Sequence, residues 1–307
     1  MPVIATPNLD NATLLLFEKN FERLAANKET KLLNSPAIKH MDIKGISNIS
    51  RIEGNELVNV TAKGRNPEKQ YLPIRNDNRI STAERYTGTY LLDNYDKVVK
   101  LISDPTSELF ENLADAKKRL TDKCIIDAAV GSVLVGEPNK AATALTAAQD
   151  GVKTIDGTTE FSYKKVISKA ITTFKNQYVD VDGVTLAISA TEEEALRDDP
   201  NYTNALYSNQ NTIDKGTITN ASGFHVVTFA GNENGGATVD LPILPESEGV
   251  RQNVLLAPKS IGFAVEIGRL DCVRSSSHVN SWEITIDMYV KAVRLQGSKI
   301  IIIKSTM

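Results

Sequence analysis

Apolar and polar positions change rhythm several times along the chain, and each rhythm predicts an element. Trp282, Ile284, Ile286, Met288 and Val290 alternate with Glu283, Thr285, Asp287, Tyr289 and Lys291. A period of two predicts a strand with one face on a core. Gly297-Ser298 predicts a turn, with Ile300 to Ile303 returning as a buried partner strand. Leu109, Leu113, Ala116, Leu120, Cys124 and Ala128 instead recur at spacings of three or four, which predicts a helix. Asp104 supplies its N-cap and Pro105 its first position, where a missing N–H costs nothing. Gly131 and Gly136 end it. At ~1.5 Å per residue this helix is a rod of roughly 40 Å, well above the usual length. Such a rod predicts a backbone to which other parts attach.

Between these two elements the pattern predicts a small α/β unit. Tyr163, Val166, Ile167, Ala170, Ile171 and Phe174 form one helical stripe, and Val184 to Ile188 a short buried strand. Gly216 to Asn232 read as two strands around a glycine turn, followed by a surface loop at Gly231 to Gly236. Nearer the N-terminus, residues 10–28 predict an isolated amphipathic helix with Leu14, Phe17, Phe21 and Leu24 on one face. Polar sequence up to Lys39 separates that helix from any core. Its stripe is therefore expected to bury itself against something else, a neighbouring chain being the natural choice.

From Asp42 to Tyr90 large apolar side chains are sparse, and Gly45, Gly54, Gly64, Pro67 and Pro73 interrupt short alternating runs. This predicts a long β-hairpin or extended loop too poor in apolar residues to form a core alone. Lys63, Arg65, Lys69, Arg75, Arg79 and Arg85 make its far half basic, against only Glu68, Asp77 and Glu84. The excess is local, because the whole chain of 307 residues carries a formal charge of −3. A protein built mainly to neutralise nucleic-acid phosphate is usually basic overall. The balance therefore argues against a dedicated nucleic-acid binder, though not against a container whose inner wall faces nucleic acid. Two distant cysteines, Cys124 and Cys272, allow one disulfide without requiring it, and suggest rather two buried thiols of a reducing compartment. No apolar run approaches the ~18–20 residues of a membrane span. The start of the chain lacks the basic and apolar regions of a signal peptide, so the expected compartment is the cytoplasm.

Candidate chemistry is thin. His40, His225 and His278 are too dispersed for metal-ligand spacing. Ser275-Ser276-Ser277-His278 invites a nucleophile–base pair, but adjacent residues in a polar loop rarely have the required geometry. Gly231 to Gly236 has neither a P-loop lysine nor a dinucleotide-binding glycine spacing. Glu192, Glu193, Glu194, Asp198 and Asp199 form the densest carboxylate cluster. Ser189 with Glu192, or Thr191 with Glu194, has the capping-box spacing, and Asp199-Pro200 ends a helix. The cluster thus reads as a capped helix behind a strand. Its exposed face is expected to meet the basic hairpin of another subunit. No catalytic residue, metal or cofactor is expected.

The order of these parts resembles the major capsid proteins of tailed bacteriophages, with their Hong Kong 97 type fold. The phrases that carry the resemblance are "GTYLLDNYDKVVKLISDPTSELFENLADAKKRLTDKCIIDAAVG", "VDGVTLAISATEEEALRDDPNYTNA", "GTITNASGFHVVTFAGN", "VLLAPKSIGFAVEI" and "WEITIDMYVKAVRLQGSKIIII". None is as specific as a zinc or P-loop motif, but together they span nearly the whole chain. The resemblance implies an α+β subunit with an N-terminal arm (1–41), an extended loop (42–92) and a peripheral domain with a spine helix (93–159). An axial domain (160–250) and a return to the peripheral domain with a long β-hairpin (251–307) complete it. It further implies pentamers and hexamers in a virion shell, a portal, a separate scaffolding protein and non-specific contact with packaged double-stranded DNA. Two alternatives stand beside it: an encapsulin-like compartment shell, and a small-molecule α/β enzyme using Glu192 to Glu194.

Overall fold

The computed structural model describes residues 30–43, 47–52, 76–93, 106–136, 141–200, 218, 220–229, 244–247, 249–278 and 281–306. The helix expected over 10–28, with Phe17 and Phe21, lies outside the described residues. So do Lys63, Arg65, Lys69, Arg75, the Asp104-Pro105 cap and the 231–236 loop.

Among the described residues the strands form three sheets. The first runs in the order β1 (Ile38–His40), β13 (Ile261–Arg274), β14 (Ser281–Arg294), β4 (Glu84–Asp93). The alternation read from the sequence appears only in part in β14: Ile284, Ile286, Met288 and Val290 are buried, but so are Asp287 and Lys291 of the alternate set, while Trp282 at the strand's start is 38% exposed. The buried apolar side chains face helix α1 (Thr106–Val130), whose Leu113 packs on Ile284 and Ile286. The expected helical stripe is displaced by about one position. Ile125, Ile126 and Ala129 are fully buried, whereas Leu120 and Ala128 are only partly so. The second half of α1 is covered from more than one side, so its apolar face turns away from a single a/d line.

The second sheet supplies that other cover. Its order is β7 (Lys153–Asp156), β15 (Ile300–Thr306), β12 (Val250–Leu256), β8 (Thr185–Ser189), β10 (Phe224–Phe229), β9 (Asn220–Ala221), with β11 (Glu246–Ser247) beside β12. Here the sequence reading needs correction: β15 is not the partner of β14. It pairs antiparallel with β12 and parallel with β7. The physical reason is in its composition. Ile300 and Ile302 join the cluster around α1, while Ile301 and Ile303 join the cluster under the helices on the opposite face. Four consecutive isoleucines need a sheet buried on both sides. The first sheet, with Thr89 and Thr285 paired on its outer face, has only one apolar side.

On the outer face of the second sheet lie a π-helical turn over 163–167, α2 (Ser168–Asn176) and α3 (Ala190–Asp198). Val166, Ile167, Ala170, Phe174 and Leu196 are fully buried there, against Leu186, Ile188, Val226 and Ile301. Between β9 and β10, Ser222 (φ 51°) and Gly223 (φ 88°) make the two-residue turn expected at that glycine. The third sheet runs in the order β2 (Ser47–Ile52), β3 (Asn76–Ser81), β5 (Val133–Val135), β6 (Thr143–Leu145). β2 and β3 run antiparallel from Ser47 opposite Ser81 to Ile52 opposite Asn76. β4, placed by the sequence within the 42–92 loop, pairs along its whole length with β14, so that span contributes to two sheets.

Candidate assembly surface and buried charge networks

The carboxylate cluster after β8 is built into the chain's own core. Ser189 is the N-cap of α3, and the Ser189/Glu192 register of the capping box is the one adopted. Glu192 Oε2 accepts the Ser189 N–H at 3.2 Å, an arrangement the positive end of the helix dipole favours. The same carboxylate meets Arg251 Nη1 at 3.2 and 3.3 Å and accepts Ser305 Oγ at 2.5 Å. Arg251 also donates Nε to Glu246 at 2.9 Å, and Asn253 donates to Ser305 at 2.9 Å. Glu192 and Arg251 are almost wholly buried, and their network joins α3 to β12 and β15.

Three of the five carboxylates are thereby unavailable to a neighbouring subunit, contrary to expectation. Glu192 is 3% exposed, Glu193 5% and Asp199 7%. Glu193 accepts the Ile218 N–H at 2.8 Å and faces Arg197 at 3.5 Å. Asp199 accepts the Tyr163 N–H at 2.6 Å, so the residue that ends α3 also caps the start of the π-helical turn that precedes it in the chain. Its backbone is extended (φ −70°, ψ 117°), as the following proline requires. Only Glu194 and Asp198 are exposed. A mainly polar helix packed on a sheet buries part of its polar face, and linear spacing does not reveal which part.

Arg79 requires the second correction. It was expected to present its charge to a neighbour, yet it is fully buried. Its Nη1 donates to Asp150 Oδ2 at 2.8 Å and Nη2 to Oδ1, a two-pronged pair. Arg294 reaches the same carboxylate from the end of β14, donating Nε to Oδ2 at 2.6 Å. Arg294 Nη1 also donates to the carbonyls of Ala129 (2.9 Å) and Gly131 (2.7 Å), placing a cation at the negative end of α1. Burial pushes the Asp150 carboxyl up, but hydrogen bonds and charge from the two guanidinium groups outweigh it and hold it below its ordinary value. The triad joins β3, the turn after β6, the end of α1 and β14.

Arg85, by contrast, stays at the surface. Its side chain is 59% exposed and donates to Asp287 at 2.7 Å across β4 and β14. His40, His225 and His278 are all exposed and lie in different elements. His225 lies within β10 with its side chain at the surface. His278 Nδ1 lies 2.9 Å from Ser277 Oγ in the β13–β14 turn, while Ser275 bonds to Glu283. Among the described residues no group of three or more His, Cys, Asp or Glu is placed to hold a metal ion. A cleft of about 230 Å³ between β4, α1 and β14 is lined by Glu84, Tyr86, Cys124 and Asp127. Burial pushes the Cys124 thiol up to about 11, which leaves it a weak nucleophile.

A long helix on a one-sided sheet, beside a second sheet buried on both faces, makes a mixed α+β architecture of the Hong Kong 97 type of capsid fold. A family model for phage capsid protein matches residues 11–307, and the chain belongs to that family. Solved structures agree at low identity. A chain from Mycobacterium phage Che8 is 15% identical, with 93% of this chain and 94% of that one covered and a TM-score of 0.62. The capsid of cyanophage P-SCSP1u gives 11% identity, 95% and 93% coverage and a TM-score of 0.63. The acid-stable capsid of Helicobacter pylori bacteriophage KHP30 gives 9% identity, 100% and 99% coverage and a TM-score of 0.63. A search of curated proteins finds no match. The protein is thus a structural major capsid protein, one of many subunits in a virion shell.

Proposed function

We propose that the shell is built from pentamers and hexamers held together chiefly by residues 42–92 and by the N-terminal arm. The observation that carries this is the β2–β3 ladder. Its two strands stay paired as far as Ile52 and Asn76, and the intervening residues 53–75 hold Lys63, Arg65, Lys69 and Arg75. A segment so poor in apolar residues has little core of its own to join. The basic residues and the exposed Arg85 meet acidic surface on a neighbour, with Glu194 and Asp198 the members of the acidic cluster still free to serve. Phe17 and Phe21 of the arm bury their stripe against another subunit. The peripheral domain holds α1 and the first sheet, and the axial domain holds α2, α3 and much of the second. Assembly proceeds in the host cytoplasm on a portal, with a separate scaffolding protein. The finished shell encloses double-stranded DNA, which it contacts without sequence preference and without enzymatic chemistry.

Electron microscopy of purified protein at rising concentration tests this reading. Closed shells are expected, and Lys63→Glu with Arg75→Glu is expected to abolish them while leaving a folded subunit. Small monodisperse particles from the unaltered chain under all conditions, co-expression with the scaffolding protein included, would refute it. Mass analysis of the contents of shells from infected cells separates a DNA container from an enzyme-filled compartment.

A further inference from the structure

The triad of Arg79, Asp150 and Arg294 has an asymmetry that separates folding from assembly. One carboxylate faces two guanidinium groups, and all three side chains are at most 3% exposed. Arg294 has further partners in the Ala129 and Gly131 carbonyls, so it remains anchored to the end of α1 whichever neighbour is lost. Asp150 is fixed by its own turn, in which its N–H donates to Thr146 O at 3.0 Å. Gly297 also packs so tightly on the Asp150 carbonyl that an added Cβ would fall 2.1 Å from the oxygen. Removing Arg79 therefore leaves a matched Asp150–Arg294 pair within a held frame. Removing Asp150 leaves two buried like charges without their shared carboxylate, which is far more costly.

Arg79 is also the member that belongs to the hairpin. It sits in β3 opposite Ile49 of β2 and Val135 of β5. Its Nη1 donates as well to the Arg294 carbonyl at 3.2 Å, linking the hairpin base to the end of the first sheet.

We propose that Arg79 is a positioning residue for assembly, setting the direction in which the β2–β3 ladder leaves the body of the subunit. The inference rests on the reading of residues 42–92 as an inter-subunit element. The leverage is geometric. Six ladder pairs at ~3.4 Å each span about 17 Å, so a tilt of about 10° at the base moves the far end by about 3 Å. A displacement of that size breaks hydrogen bonds, which fail beyond roughly 3.5 Å. Loss of Arg79 is therefore expected to alter which assemblies form more than whether the subunit folds.

The test compares Arg79→Met, Asp150→Ala and the hairpin variant Lys63→Glu/Arg75→Glu as full chains. Thermal unfolding of unassembled subunits is measured alongside electron microscopy of the assembly products. Arg79→Met is expected to keep a cooperative transition and to give shells of mixed diameter or open sheets, whereas Asp150→Ala loses the folded subunit. If Arg79→Met unfolds like Asp150→Ala, or assembles into shells with the unaltered diameter distribution, the inference is overturned. If the hairpin variant assembles normally, it is the inter-subunit reading of residues 42–92 that fails.

Discussion

Replacing Glu192 by alanine removes the centre of the network that holds α3 against the second sheet. Its carboxylate lies 3.2 Å from Arg251, accepts Ser305 at 2.5 Å and caps the Ser189 N–H at 3.2 Å. Breaking a buried pair by deleting one partner costs about 3–5 kcal/mol, and losing a cap ~0.5–2 kcal/mol more. Arg251 retains Glu246 at 2.9 Å, with that carboxylate 16% exposed, and this offsets part of the loss. A net destabilisation of about 3 kcal/mol is expected. At roughly 2–4 °C per kcal/mol for a domain of this scale, Tm falls by about 6–12 °C. Glu194→Ala, two positions away on the exposed face, should stay within about 0.5 kcal/mol. Differential scanning calorimetry of unassembled subunits reads both. Equal melting temperatures for the two variants would refute the assignment. So would a Glu192 variant that melts normally but fails to assemble, since the carboxylate would then act between subunits.

Acidity separates two buried aspartates of opposite sign. Asp150, held below its ordinary value of 3.8, contributes stability in full above that pH and loses it as pH falls through the lower folded value. Asp122 is raised by burial despite accepting the N–H groups of Lys31 and Leu32, so its charged form weakens the fold at neutral pH and acid relieves it. Relative to Asp122→Asn, the unaltered subunit should therefore gain Tm as pH is lowered from 7 towards 3.8; a constant difference would contradict this. The Cys124 thiol, buried and pushed up to about 11, should react with a thiol reagent far more slowly than the half-buried Cys272 until the subunit unfolds. Equal rates, measured by mass spectrometry of the two peptides, would mean that α1 is not packed as described.

Local patterns announced most of the elements, because period, caps and turn residues act over a few positions. The Ser189/Glu192 box, the extended Asp199 before proline and the Ser222-Gly223 turn are all local physics. What stayed hidden depends on partners far along the chain. Arg79 looked like one more cation in a basic stretch, because Asp150 stands 71 positions away and Arg294 a further 144 beyond it. The run Ile300 to Ile303 did carry a readable signal, since four consecutive apolar residues match a two-sided strand better than the return arm of an alternating hairpin. The burial of Glu192 and Glu193 carried none, because capping spacing is the same on exposed and buried helices.

The pairing of β4 with β14 also constrains the order in which the subunit can form. Tyr90 meets Ile284 and Glu84 meets Val290, contacts about 200 residues apart, and loop closure over such distances slows folding. Helix α1 is complete at Val130, yet the sheet beneath it needs residues through Arg294, 164 positions later. At about 5–20 residues per second of synthesis, its apolar face waits roughly ten to thirty seconds for its partner. Throughout that interval Leu113, Ile125 and Ile126 are open to any other sticky surface. A nascent chain of this topology therefore depends on being kept apart from its siblings before it can usefully meet them.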